Sequence, residues 1–331
     1  AEHTRGSRAG PAGTNQRTRP TPRKDRTCTK DKRQALSPEV RTLAATEVHL
    51  NPTSLDKPAY LLNFPFSFNA GEANNIWMEE LSEEKREVDM RKAIKQFMEL
   101  YHFVAGEALV YLLPASALCG LQDLVFTANL GIVLEHMPGK NTVVLSNFTS
   151  EPRVGETSCG KGFFEAMGYD VHVSPYKFEG EAELKHLNKN VYLGGYGIRS
   201  QARSYAWMEE EFDMQVIKLH MDDPYLYHLD CIVFPLTTEA VMVCTELLEK
   251  EDVAEIEQHA EIIDVSYDEA CSGITNSVRL TNLILNSSHI HELKTGTEDY
   301  GMEIAKNRRL EDIAVKYGFE VAFFNLSEYH K

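Results

Sequence analysis

No stretch of the chain approaches the roughly 20 consecutive apolar residues that a membrane-spanning helix requires, the longest candidates being runs as short as residues 232–236. No CxxC pair and no framework-like spacing occurs among Cys28, Cys119, Cys159, Cys231, Cys244 and Cys271, which fits scattered thiols in a reducing compartment better than a disulfide scaffold. Cations are in deficit, with 34 Lys+Arg against 50 Asp+Glu and a net charge of −16. The deficit is uneven: residues 1–50 carry 11 basic and 5 acidic side chains, a net +6, and the remainder carries 23 and 45, a net −22. An acidic body argues against binding nucleic acid by neutralising phosphates, which needs clustered cations on the folded surface. Only residues 1–50 have the charge for it.

With 331 residues, 43% of them hydrophobic, the chain can build one large core or two ordinary ones. Residues 1–50 are rich in Arg, Thr, Pro and Gly and lack hydrophobic periodicity, so they read as an extended basic arm, disordered unless bound to partners. Arg-rich, acid-poor flanks of this kind surround mitochondrial presequence cleavage sites. From Ala59 onward short β-rich runs alternate with amphipathic helices. The spacing of Met90, Ile94, Phe97, Met98, Tyr101 and Val104 predicts one helix over residues 82–104, capped by Ser82 and ended by Gly106. Further helices are expected near residues 157–167, 201–212, 253–260 and 301–317. Strands fall between them, among others at residues 124–134, 142–145, 231–236 and 278–285. The repeated order predicts one α/β domain of similar units over residues 59–331.

Three local motifs carry little. The string from Gly155 to Gly162 nearly spells a phosphate-binding GxxxxGK[ST] loop, but the final hydroxyl residue is a glycine and no clean strand leads into it. His289 and His291 have ligand-like spacing with only Glu292 beside them, so a solvated strand end is the better reading. Cys271 has acids nearby that raise a thiol, so it reads as idle. A dispersed set is more informative: residues 121–129, Phe178-Glu-Gly180, Gly197-Ile-Arg-Ser200 and His228-Leu-Asp230 each flank a β-run and can project into a shared cavity. Glu179 and Asp230 can fork to a planar cation such as guanidinium, Arg199 can pair with a carboxylate at the ligand's far end, and His228 can supply a proton to a leaving amine.

These strings resemble the guanidino-group-modifying superfamily, the penteins: amidinotransferases, arginine deiminases and dimethylarginine dimethylaminohydrolases, with arginine dihydrolases nearest in their strings. The resemblance runs from about Ala59 to Tyr329 and rests on Asn75-Ile-Trp-Met78, on Asp123 to Asn129 against Pro-Asp-x-Val-Phe-Thr-Ala-Asn, on Gly195 to Ser200, and on Tyr227 to Asp230. It implies a pentein α/β propeller with pseudo-fivefold ββαβ repeats around a central cavity, preceded here by the extended N-terminal arm. It also implies a cysteine thiolate attacking the guanidinium carbon, with His as acid/base and carboxylates on the nitrogens. In the family that cysteine follows a Leu-x-Glu-Phe pattern. Here Phe324 to Tyr329 matches the approach, and the sequence stops at Lys331. The family's Phe-Glu-Gly-x-Gly-Asp also reads Phe178-Glu-Gly-Glu-Ala-Glu183.

The expectation that follows is a non-catalytic, amidinotransferase-like structural subunit of a large multiprotein assembly, mitochondrial by its basic flank and otherwise cytoplasmic: a respiratory complex, ATP synthase or mitochondrial ribosome. Other subunits would be contacted by residues 1–50, with RNA a further partner for that basic arm. No residue is assigned a catalytic role. Asp123, Asn129, Glu179, Arg199, His228 and Asp230 are expected to form a remnant pocket for a guanidino ligand, with no metal and no cofactor. Two alternatives stay open: an active guanidino-group hydrolase or amidinotransferase acting on arginine, with Cys271 or a partner's thiol as nucleophile, and a non-catalytic module that binds a guanidino metabolite.

Overall fold

Short apolar runs punctuated by turn residues cannot make long strands, and the computed structural model, which describes residues 58–116 and 119–330, distributes them among five small sheets. The arm expected over residues 1–50 lies outside the described residues. In the first sheet β1 (Ala59–Leu62) pairs in parallel with β2 (Leu109–Leu112), the two joined by a chain segment that contains helix α1 (Met90–Glu107). The other four follow one plan: two antiparallel strands, a helix, then a third strand parallel to the second. The second unit is β3 (Gly131–Val133), β4 (Thr142–Leu145), α2 (Glu156–Ala166) and β5 (Asp170–Val173). The third is β6 (Leu184–Asn188), β7 (Val191–Gly197), α3 (Ala202–Phe212) and β8 (Gln215–Met221). The fourth is β9 (Val233–Pro235), β10 (Ala240–Val243), α4 (Lys250–Glu257) and β11 (Glu261–Asp264). The fifth is β12 (Val278–Arg279), β13 (Leu283–Ser287), α5 (Glu298–Lys316) and β14 (Glu320–Phe324).

The middle strands β4 and β10 are buried along their whole length, which is why they read as continuous apolar runs and not as alternating ones. One core cluster runs from the third unit through the fifth, with Leu193, Ile217, Val241, Ile284 and Ile313 fully inside. Val104 and Ala108, at the end of α1, pack on Leu280 and Leu285, so the first and last units meet.

Three expectations change. The single helix over residues 82–104 is two: a short one at Glu83–Arg86, then α1, started afresh by Asp89, whose carboxylate accepts the N–H groups of Arg91 and Lys92. Ser82 makes no side-chain cap bond, and a second capping residue inside a periodic stretch takes over the start. α1 then runs through Gly106 to Glu107. The strand expected over residues 124–134 survives only as β3, because residues 127–129 coil into a 3-10 turn, and Leu229–Cys231 does the same before β9. β6 was not foreseen, since Lys185 and His186 interrupt its apolar pattern. The Gly155 to Gly162 string forms the start of α2 and no phosphate loop.

Candidate functional site

Three 3-10 turns carry the chemistry, and the repeating plan puts them at corresponding positions: Thr127–Asn129 before β3, Gly180–Ala182 before β6 and Leu229–Cys231 before β9. The second packs against both of the others. Gly180 permits the approach. Its φ is +65°, and a Cβ there would lie 2.6 Å from the Ala128 carbonyl oxygen and 2.7 Å from the Asn129 carbonyl carbon, so no other residue fits.

Glu179 enters this junction with 0% of its surface exposed. Its Oε2 lies 2.8 Å from His228 Nε2, its Oε1 accepts the Thr149 N–H at 3.2 Å, and Arg199 Nη1 stands 3.8 Å from Oε1. Burial by itself would raise this carboxyl. The His228 hydrogen bond and charge, with Arg199 and Arg153, outweigh it and bring the group down to about 2. Asn129 Nδ2 lies 3.4 Å from the same imidazole nitrogen. Arg199 donates to the Asn74 carbonyl at 2.6 Å and lies 4.7 Å over the Tyr227 ring. Asp123 accepts from Asn74 Nδ2 at 2.6 Å and from Gln122 Nε2 at 3.2 Å, and burial, opposed by Arg153, raises its carboxyl. Beside this set opens a cavity of about 320 Å³, lined by Asn74, Ile76, Thr149, Arg199, Pro224 and Tyr227. Thr149 and Arg199 join it to Glu179.

Five of the six expected residues, Asp123, Asn129, Glu179, Arg199 and His228, are therefore buried and linked. Asp230 shares the His228 turn but is half-buried, and its Oδ1 receives the Cys231 thiol at 3.7 Å. Arg199, expected only at a ligand's far end, already faces Glu179. Five further residues were not foreseen as site residues: Asn74 and Thr149, which act here partly through a backbone carbonyl or N–H; the forked pair Arg153–Glu156, with two N···O distances of 2.9 Å; and Glu183, known from the sequence only as an altered acid of the family string, fully buried with neither oxygen hydrogen-bonded among the described residues. Burial, then Glu179 and Asp230, push Glu183 well above the carboxylate range. An Arg and a Glu three apart at a helix start was the one available signal for the pair.

Cys271 lines a different cavity, of about 280 Å³, with His289, Glu303 and Lys306, and burial with nearby acids raises its thiol. Cys231 is raised well above its usual range by burial and by Asp230. Neither is placed as a thiolate against His228.

A family model described as N,N dimethylarginine dimethylhydrolase, eukaryotic, matches residues 64–296. The chain is 28% identical over 252 residues, 74% of its length, to the bifunctional arginine dihydrolase/ornithine cyclodeaminase AgrE of Nostoc sp., of which it spans 34%. It superposes with a TM-score of 0.70 on the N-terminal domain of ArgZ, a cyanobacterial arginine dihydrolase, bound to product, at 26% identity over 83% of this chain and 93% of that one. The same figures hold for a cysteine-to-serine variant of that domain bound to substrate. These findings confirm the superfamily resemblance and overturn the expectation of a non-catalytic structural subunit in a mitochondrial assembly: the relatives just described are hydrolases, and nothing in them points to such a subunit. The non-catalytic reading leaned on Lys331 as the last residue, which carries no weight in a chain spanning about a third of that relative.

Proposed function

We infer, because this chain belongs to the eukaryotic N,N-dimethylarginine dimethylhydrolase family, that it takes part in hydrolysis of a guanidinium C–N bond in arginine or a close derivative. The observation that carries this is the buried Glu179–His228 pair, 2.8 Å apart, with Asn129 and Arg199 against it. A guanidinium is planar and cationic, and carboxylates at Asp123 and Glu179 can face its nitrogens, with Arg199 beside Glu179 keeping that acid charged. His228, oriented by Glu179, is placed to pass a proton to the departing nitrogen as a thiolate adds to the guanidinium carbon, and then to take one from the water that releases the enzyme-bound carbon. The attacking thiol is a group that the described cysteines do not supply at His228. We further infer that the five units close into an α/β propeller around this site; the shared plan and the packing of the first unit on the fifth support it. The test is calorimetric titration of the protein with L-arginine and with dimethylarginine, alongside assay for released amine or ammonia, citrulline and ornithine. Binding that is lost in Glu179→Gln and unchanged in Cys271→Ser is expected, and any product must disappear in His228→Ala; no binding of either compound would refute the reading.

A further inference from the structure

Arg153 lines neither cavity and is 5% exposed, yet it touches the segments that aim the guanidinium-facing groups. Its Nε and Nη2 fork to the two oxygens of Glu156. The same Nη2 donates to the carbonyls of Asp123 at 3.3 Å and Phe126 at 3.4 Å. Those two carbonyls also close the consecutive turns that carry the loop: Phe126 N–H donates to Asp123 O at 2.9 Å, and Asn129 N–H to Phe126 O at 3.1 Å. The guanidinium carbon lies 4.7 Å from the ring centre of Phe148, the residue before Thr149, whose N–H holds Glu179.

We propose that Arg153 is a positioning residue for the guanidinium site, its fork holding the two linked turns of residues 123–129 against the N-terminus of α2 so that Asp123 keeps its place on Asn74 and Asn129 its approach to His228. This rests on the function proposed above. The loop has no sheet partner before β3, so its two turn carbonyls depend on what else binds them. The guanidinium fixes its position by forking two nitrogens to both Glu156 oxygens while Nη2 also reaches the two carbonyls; a lysine ammonium keeps the charge on one nitrogen and loses the fork that sets where its donors stand. A mere stabilising ion pair would not need that geometry.

The experiment compares L-arginine with L-ornithine, which has the same amino-acid end but no guanidinium carbon, by calorimetry on the full chain. In Arg153→Lys the preference for arginine is expected to fall by about tenfold or more, as misaimed groups near a reacting centre typically cost, with ornithine affinity unchanged. Should the lysine variant not fold, Arg153→Met/Glu156→Leu removes both charges without stranding either, and the same loss of preference is expected. A folded variant that keeps the wild-type preference overturns the proposal. A wild-type chain that does not prefer arginine overturns the guanidinium site itself, and this proposal with it.

Discussion

Glu179 and Glu183 stand on either side of one 3-10 turn, both with 0% of their surface exposed, and their carboxyls are shifted in opposite directions. Glu179 has an imidazole at 2.8 Å, a backbone N–H at 3.2 Å and a guanidinium at 3.8 Å, and is brought down to about 2. Glu183, whose oxygens find no hydrogen-bond partner among the described residues, is driven well above the ordinary range by burial and then by Glu179 and Asp230, against the weaker pull of the Leu229 backbone and Arg199. Burial is common to both, so it does not decide the direction of the shift. The neighbours do: Glu179 is met by an imidazole, a guanidinium and a donor, and Glu183 first by two further carboxylates. The turn thus separates an acid held in its charged form from one pushed toward its neutral form.

The largest break in this contrast is Glu179→Gln, which removes the charge and leaves the shape. Charge-assisted hydrogen bonds are worth about 1.5–3 kcal/mol, so arginine affinity should drop by about a hundredfold in calorimetry. Stability should change with a definite sign. A folded carboxyl near 2 against an ordinary value of 4.5 contributes about 3 kcal/mol. Because the folded value is depressed, that contribution is complete above the ordinary value and is lost as pH falls toward 2. Urea titrations should therefore show the wild type exceeding Glu179→Gln at pH 6, with the gap closing toward pH 2. A gap that does not depend on pH would mean that Glu179 is not held as a charged group.

A smaller break comes from the strand above Glu183. A Cβ on Gly195 would lie 2.5 Å from Glu183 Oε2 and 3.0 Å from Leu229 Cβ, two neighbours that are themselves 0% exposed. Gly195→Ala should cost about 1–3 kcal/mol by overpacking, seen as a lower thermal midpoint. It should also weaken arginine binding, because Leu229 lies between His228 and Asp230.

The unit plan and five linked residues of the candidate site were legible because each lies in a short string at the edge of an apolar run: Asp123 to Asn129, Phe178-Glu-Gly180, Gly197-Ile-Arg199 and Tyr227-His228. What those strings do not show is that three of them are the same turn in successive units, since the turns at residues 127–129 and 229–231 look like continuations of strands. Asn74 and Thr149 escaped because a backbone carbonyl and a backbone N–H, which any residue supplies, carry part of their roles. Arg153 and Glu156 escaped because the glycine-rich string around them drew attention to phosphates. The non-catalytic expectation failed for a different reason: it rested on where the sequence stops, on the basic charge of residues 1–50 and on the altered Phe178 to Glu183 string, while the relatives are arginine and dimethylarginine hydrolases.

The finest test of the contrast is Glu183→Gln, read by its pH dependence. A carboxyl raised in the folded chain is ordinary, at 4.5, in the unfolded one, so folding takes up a proton and wild-type stability falls as pH rises above that value. The amide carries no such cost. At pH 4 the two chains should agree within about 0.5 kcal/mol, as for substitutions that break no named interaction, and from there to pH 7 the variant should gain on wild type by up to about 1.4 kcal/mol per pH unit. The slope has the opposite sense to that of Glu179→Gln, whose deficit grows over the acid side as its depressed carboxyl ionises. A gap that stays flat between pH 4 and pH 7 would show that Glu183 is not held above the ordinary range, and burial would then not be what the partners of Glu179 overcome.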